Sequence, residues 1–290
     1  MKQKLFFSII ILAVSAGFVS CRRDISFKLP HPPNLLVVEG RIEVDSVPYV
    51  ILTTNSDYYG VTQTSDLGKI FVHDASVKVT DGEDTVTLQE FTFDSAGVKV
   101  GVYVNPFVNF KGVEGRTYQL LIKANGQQVS SVTTIPKAYP LDSVWVEENA
   151  NSKKPDLVRL MCRYKDPPEL GQYVRYFTKR NSEPFEPGVN SVFDDKIING
   201  TTFNFPLDRG INRNDSSAYK NFGYFYKGDT ITIKWCNIDQ ATFNFWRTLE
   251  VESESQGPFS SPIKVQGNIQ GGLGVWAGYN PSYKSIIIPK

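Results

Sequence analysis

Histidine is nearly missing from this chain: two of 290 residues, His31 and His73. That excludes metal centres built on three or more imidazoles and confines any histidine base to two positions. An excess of either charge is missing too, with 31 basic against 30 acidic side chains. A dedicated nucleic-acid binder concentrates basic residues, so no nucleic-acid partner is expected. Only three cysteines occur, Cys21, Cys162 and Cys236. Long apolar runs are scarce. The longest, from Leu5 to Val19, falls short of the ~20 residues that span a bilayer, and no second one follows. What is present is 41% hydrophobic and 13% aromatic residues, which excludes a mostly disordered chain. The length suits one large domain or two modest ones.

Lys2 and Lys4 precede the apolar run, and small residues (Ser15, Ala16, Gly17) follow it. A positive start, a short apolar stretch and small residues make an export signal. It closes on Phe18-Val19-Ser20-Cys21, a small residue directly before a cysteine, which resembles a bacterial lipobox. Residues 1–20 are expected to be a lipoprotein signal peptide, with Cys21 carrying the lipid and becoming the new N-terminus. Several acyl chains hold a soluble body on a membrane, whereas one alone is marginal. Removing residues 1–20 takes away Lys2 and Lys4 and no acid, leaving a nearly neutral body. In an oxidising compartment Cys162 and Cys236 invite a disulfide, with two buried thiols as the alternative.

Residues 21–34 hold Pro30, Pro32 and Pro33, which suit neither a helix nor a central strand. They read as a tether. From Leu35 the pattern turns to β. Leu35–Gly40 and Pro48–Thr54 are apolar runs, and Val77, Val79, Val86 and Leu88 alternate around Asp81-Gly82. The strongest local signal runs from Tyr118 to Ala124 and ends in Asn125-Gly126, the signature of a type I′ hairpin. The return strand passes Val129 and Val132 to Ile135. Residues 35–137 are expected to form an immunoglobulin-like β-sandwich. Pro136 and Pro140 bracket a connection to an aromatic-rich β domain over 141–290. Its strands are expected at 141–146, 157–164, 173–178, 201–205, 229–235, 275–279 and 285–288, with polar loops at 180–190 and 208–221. One short helix is expected near 238–253, capped by Asn237 with Gln240 reaching back. Its apolar stripe is Phe243, Trp246 and Leu249. The fold class is therefore all-β with one helix in the second half, arranged as two sandwich domains.

No catalytic set assembles along the sequence. His73-Asp74 has no serine motif beside it, and strand neighbours point to opposite faces. Asp194-Asp195 and Glu147-Glu148 are adjacent acids, which rarely reach the separations that glycoside hydrolysis needs. Residues 208–215 lack the spacing of a calcium loop. Gly271-Gly272-Leu273-Gly274 opens a strand rather than a helix, so it reads as a turn and not a phosphate cradle. No cofactor or metal is expected. The dense aromatic cluster Tyr219, Phe222, Tyr224, Phe225 and Tyr226 beside a polar loop offers anchors for a partner. Tyr219, Phe222, Tyr224 and Tyr226 are the candidate binding surface.

The lipobox, Leu36-Val-Val-Glu-Gly40, Pro48–Thr53, Phe193-Asp-Asp195 with Asn199-Gly200, Phe243-Asn-Phe-Trp246 and the ending Asn268-Ile269 with Gly271–Gly278 resemble the DUF4249 lipoproteins of Bacteroidota. The resemblance covers nearly the whole mature chain. It implies an outer-membrane lipoprotein, commonly encoded beside a TonB-dependent transporter, and brings no established activity or functional residue with it. Arg22-Arg23 precede Asp24, where surface export in that phylum favours acids directly after the cysteine, so the resemblance leaves open which side of the membrane the body faces. The expected role is a non-enzymatic accessory or ligand-capture protein, held on the membrane by its lipid and working with a TonB-dependent transporter. A structural or adhesive envelope module is the alternative, and a glycan or peptide hydrolase a more distant one.

Overall fold

The structure, a computed structural model, describes residues 34–55, 68–95, 97–149, 153–213, 215–254 and 263–290. The expected leader, Cys21 and the tether up to residue 33 lie outside the described residues.

The first half is built from seven strands: β1 (Leu36–Glu43), β2 (Tyr49–Thr54), β3 (Ser76–Thr80), β4 (Thr85–Ser95), β5 (Val98–Val104), β6 (Thr117–Ala124) and β7 (Gln127–Thr134). The β6–β7 hairpin turns at Asn125-Gly126, both at positive φ. That is the backbone an Asn-Gly pair adopts most readily. Strand β4 serves two layers. Its first residues pair with β3 (Val77↔Leu88), and its remainder pairs with β5 (Phe91↔Val102). The chain thereby folds β1, β2 and β5 over β3, β6 and β7. Alternate apolar residues from both layers meet between them, among them Leu36, Val38, Leu52, Val77, Tyr118, Leu120 and Ile122.

The second half has β8 (Ser143–Glu148), β9 (Leu157–Lys165), β10 (Tyr173–Arg180), β11 (Glu186–Asp194), β12 (Thr202–Leu207), β13 (Phe225–Tyr226), β14 (Thr230–Ile238), helix α1 (Gln240–Glu254) and β15 (Leu273–Ile287). Strand β9 is the centre of a small sheet, flanked by β8 on one side and by β12 and β13 on the other. That sheet packs on β10 and β14 through Leu160, Tyr164, Val174, Tyr176, Ile233 and Trp235. Helix α1 covers the opposite face of the main sheet, against β10, β11 and β15, in a cluster that includes Phe177, Ile238, Phe243, Phe245 and Tyr279.

Among the described residues the fold is all-β with one α-helix, as the sequence predicts, in a large mixed sheet and a smaller second one. The expected border at 137–141 does not separate two bodies, because residues 34–290 form one compact unit. The physical link is β15. Its first half pairs parallel with β1 (Val37↔Leu273 to Glu43↔Tyr279), and its second half pairs antiparallel with β14 (Ile238↔Tyr279 to Thr230↔Ile287). The two short strands expected there are thus one strand joining both halves into an eleven-stranded sheet. Gly274 makes the β1 contact close: at φ +101° its missing Cβ leaves room for the Val38 carbonyl. Trp276, fully buried, fills the first core and donates its indole N–H to the Tyr118 carbonyl at 3.1 Å.

The helix is capped two residues later than expected. Asn237 stays in β14, opposite Val174 and Asn280, and its side chain accepts the Tyr139 amide at 2.7 Å. Asp239 is the cap, accepting from the Thr242 amide at 2.8 Å. Of the two states open to the downstream cysteines, the structure has the buried thiols and not the disulfide. Cys162 and Cys236 are free and buried. Cys162 points from β9 into the inter-sheet core, while Cys236 follows Trp235 on β14 and so faces α1. A sheet separates them.

Candidate functional site

An open cleft of about 290 Å³ lies where the small sheet and the main sheet diverge. Its walls come from four strands: Tyr164 of β9, Val174 of β10, Phe203 and Phe205 of β12, and Trp235 of β14. Phe193, at the end of β11, reaches across them. Its ring stacks on Trp235 (6.2 Å, 21°) and on Tyr176 (5.8 Å, 18°). Phe205 is tilted 5.9 Å from Trp235, and Tyr164 5.4 Å from it. The turn after β11 forms the rim with Asp194, Asp195, Ile197 and Ile198. Phe193 is 38% exposed and Ile197 95% exposed, so the mouth is apolar and wet.

Two aspartates brace this rim, each 3% exposed. Asp195 accepts the amides of Gly171 and Gln172 at 2.7 and 2.9 Å, and Asp166 accepts that of Gly200 at 3.0 Å. Among the described residues neither has a lysine or arginine partner. Burial raises the Asp166 carboxyl above its ordinary range, the Gly200 amide works against this, and the nearby charge of Asp195 adds to it. Tyr164 is likewise raised, first by burial and then by Asp166, with Asn237 acting against both. Among the described residues the Trp235 indole N–H is buried without a hydrogen-bond partner. Such an orphan is rare in folded proteins and calls for an explanation.

The acids weighed from the sequence part company. Glu147 and Glu148 lie exposed on β8, held by Trp145 Nε1 (3.3 Å) and Lys227 (3.0 Å). Asp194 pairs with Lys196 at 3.3 Å. Only Asp194 and Asp195 reach the cleft, and Asp166, which sequence reasoning passed over, joins Asp195 there. His73 pairs with Glu90 of β4, not with Asp74. No group of three or more His, Cys, Asp or Glu residues able to hold a metal is found among the described residues.

The four candidate aromatics differ in exposure. Tyr219 ends a short 3₁₀ turn and is exposed, Phe222 and Tyr224 are half-buried, and Tyr226 on β13 is exposed. Arg159 lies 5.7 Å from the Tyr224 ring and Arg180 5.9 Å from that of Tyr226. Only Tyr226 lines the neighbouring groove, which is polar, with Arg180, Glu183, Glu186 and Arg209. Burial pushes the thiols of both Cys162 and Cys236 up to about 12, so neither is poised to react. Cys21 lies outside the described residues. The cleft had one sequence signal, the spaced Phe193-Asp-Asp195 and Asn199-Gly200 that carry part of the family resemblance.

Fold and site together define a sheet-built body with an aromatic cleft at one sheet junction. The family described as "Domain of unknown function (DUF4249)" matches residues 22–285, and the chain belongs to it. No curated protein matches the chain. Among the described residues no helix is long and apolar enough to cross a membrane.

Proposed function

We propose that this protein is an outer-membrane lipoprotein, anchored through Cys21, that captures a ligand or docks a partner for a TonB-dependent transport system without catalysing a reaction. The aromatic cleft supports this reading. A mostly apolar pocket with a few buried polar groups is the usual form of a binding site, and its size suits one ring or one side chain. The wall of stacked rings around Phe193 and Trp235, open to solvent at Phe193 and Ile197, is the observation that carries the proposal. The working surface is then the cleft at Phe193, with the Tyr219 loop secondary.

The test is a detergent pull-down of the tagged lipoprotein from its native host. Recovery of a TonB-dependent transporter, weakened by Phe193→Ala more than by Tyr219→Ala, supports the cleft. Recovery unaffected by Phe193→Ala contradicts it, and no outer-membrane partner, with no soluble ligand shifting the melting temperature, favours the structural or adhesive module. Metabolic labelling with a clickable fatty acid should mark the wild type and not Cys21→Ser. The second reading, a glycan or peptide hydrolase, draws on Asp166 and Asp195 sharing the cleft. Turnover of a glycan or peptide that Asp166→Asn abolishes would favour it.

A further inference from the structure

The β4–β5 ribbon carries its apolar residues on the wrong side for a soluble sheet. Cross-strand partners share a face, and the register puts Phe91, Phe93, Val98, Val100, Val102 and Val104 together on one face. The charged residues Glu90, Asp94 and Lys99 all fall on the other. That other face is the inner one, since Tyr103 enters the first core and Glu90 binds His73. An antiparallel sheet with one solvated face normally shows polar residues to water. Here Phe93 is 53% exposed, and Phe107, 79% exposed, sets its ring 6.4 Å from that of Phe91.

The ribbon also stands apart from the sheet. Strand β2 pairs with β5 only over Tyr49–Ile51, because Phe71 and Val72 take up the next stretch of its edge. The last described pair of the ribbon, Ser95↔Val98, lies toward the end of the sheet where β1 begins. Leu36 pairs with Thr54, and β5 starts at Val98 toward that same end before reaching Val102 opposite Ile51. Three strand spacings separate β1 from β4, about 14 Å. A tether of residues 21–33 reaches at most ~45 Å when fully extended.

We propose that this ribbon face is a bilayer contact, in which Phe91, Phe93 and Phe107 enter the interfacial region beside the lipid anchor. The proposal rests on the reading that Cys21 is acylated, which keeps the tethered end within reach of the membrane. The uncharged face suits a lipid interface, where buried apolar area supplies the attraction. Exposed contiguous apolar patches mark membrane or protein contacts, and the place of the ribbon beside the chain's entry favours the membrane.

The test uses the chain from residue 21 with Cys21→Ser, so its outcome does not depend on acylation. Flotation with vesicles of phosphatidylethanolamine and phosphatidylglycerol should retain the protein. The Phe91→Ser/Phe93→Ser variant should lower the bound fraction at least fivefold, and Phe107→Ser, in an exposed loop, should lower it without touching the fold. In a Phe93→Trp variant, brominated lipid should quench the added fluorescence relative to the wild type. No vesicle binding, equal binding by the variants, or no quenching of the fluorescence added by Phe93→Trp would overturn the proposal. So would a dimer in sedimentation velocity that the same substitutions dissolve, which would make the face a contact between two copies.

Discussion

Lys234 and Glu43 bring opposite charges into the interior from the two halves of the chain. The ammonium lies 2.8 and 2.7 Å from the two carboxylate oxygens, and Arg41 is 3.3 Å from one of them. Removing one partner leaves a buried charge alone, which typically costs about 3–5 kcal/mol. Glu43→Leu, which leaves Lys234 without its carboxylate, should therefore lower stability by that order in urea unfolding. Lys234→Met should cost less because Arg41 stays beside Glu43, and Lys234→Met/Glu43→Leu should recover much of the loss. Glu90 sets an acid limit. Burial acts to raise its carboxyl, but His73, the Asp74 amide and Tyr103 outweigh burial and leave it below its ordinary value of about 4.5. A depressed folded value means a stabilisation present above the ordinary range and lost as pH falls through the lowered value. The melting temperature should drop on acidification below about pH 4.5, and Glu90→Gln should make that drop shallower. At this scale the sequence was partly readable. Both cysteines do sit in strands, but a strand's two faces decide whether thiols can meet, and spacing alone did not reveal that Cys236 shares the α1 face.

Helix α1 shows how an element can be right and its boundary wrong. Asn237-x-x-Gln240 has the form of a capping box, yet β14 continues through Ile238 because both its neighbours pair with it to that point. Asp239 then caps the helix, and its other oxygen also accepts from the Thr133 hydroxyl at 2.6 Å. Asp239→Ala should cost about 1 kcal/mol as a cap, plus whatever the Thr133 bond adds, and urea denaturation would measure it. The expected stripe of Phe243, Trp246 and Leu249 does pack on the sheet, joined by Phe245. Trp246 stacks on the Arg175 guanidinium at 3.4 Å and donates to the Tyr279 hydroxyl at 2.9 Å. Trp246→Ala should cost about 3 kcal/mol, and an unchanged melting temperature would contradict this packing. The Asn125-Gly126 hairpin was legible because its determinants are close neighbours in the chain. Strand β11 was not: Pro187 and Gly188 gave its stretch the composition of a loop, and its pairing with β10 is what orders it.

On the scale of the whole molecule the decisive contact joins residues more than two hundred apart. Val37 pairs with Leu273, and Gly40 faces Trp276. No local pattern announces such a pairing, which is why the chain read as two domains. The family-like stretches at 36–40 and 271–278 are these two strands, so their resemblance reflects the seam that unites the fold. A fragment of residues 34–137 lacks β15 and the Trp276 that fills its core, and it should fail to give a cooperative thermal transition, whereas the full body should unfold in one. The cleft was the least legible part, because Phe193, Phe205 and Trp235 converge from three strands only after the sheets have packed. Its role as a binding site is the central claim, and titration with the neutral aromatic probe N-phenyl-1-naphthylamine tests it most directly. The wild type should show one saturable site. Phe193→Ala should weaken it at least tenfold, equivalent to about 1.4 kcal/mol, while Phe93→Ser on the ribbon leaves it unchanged. Binding indifferent to Phe193, or lost equally with Phe93→Ser, would contradict the assignment of the cleft.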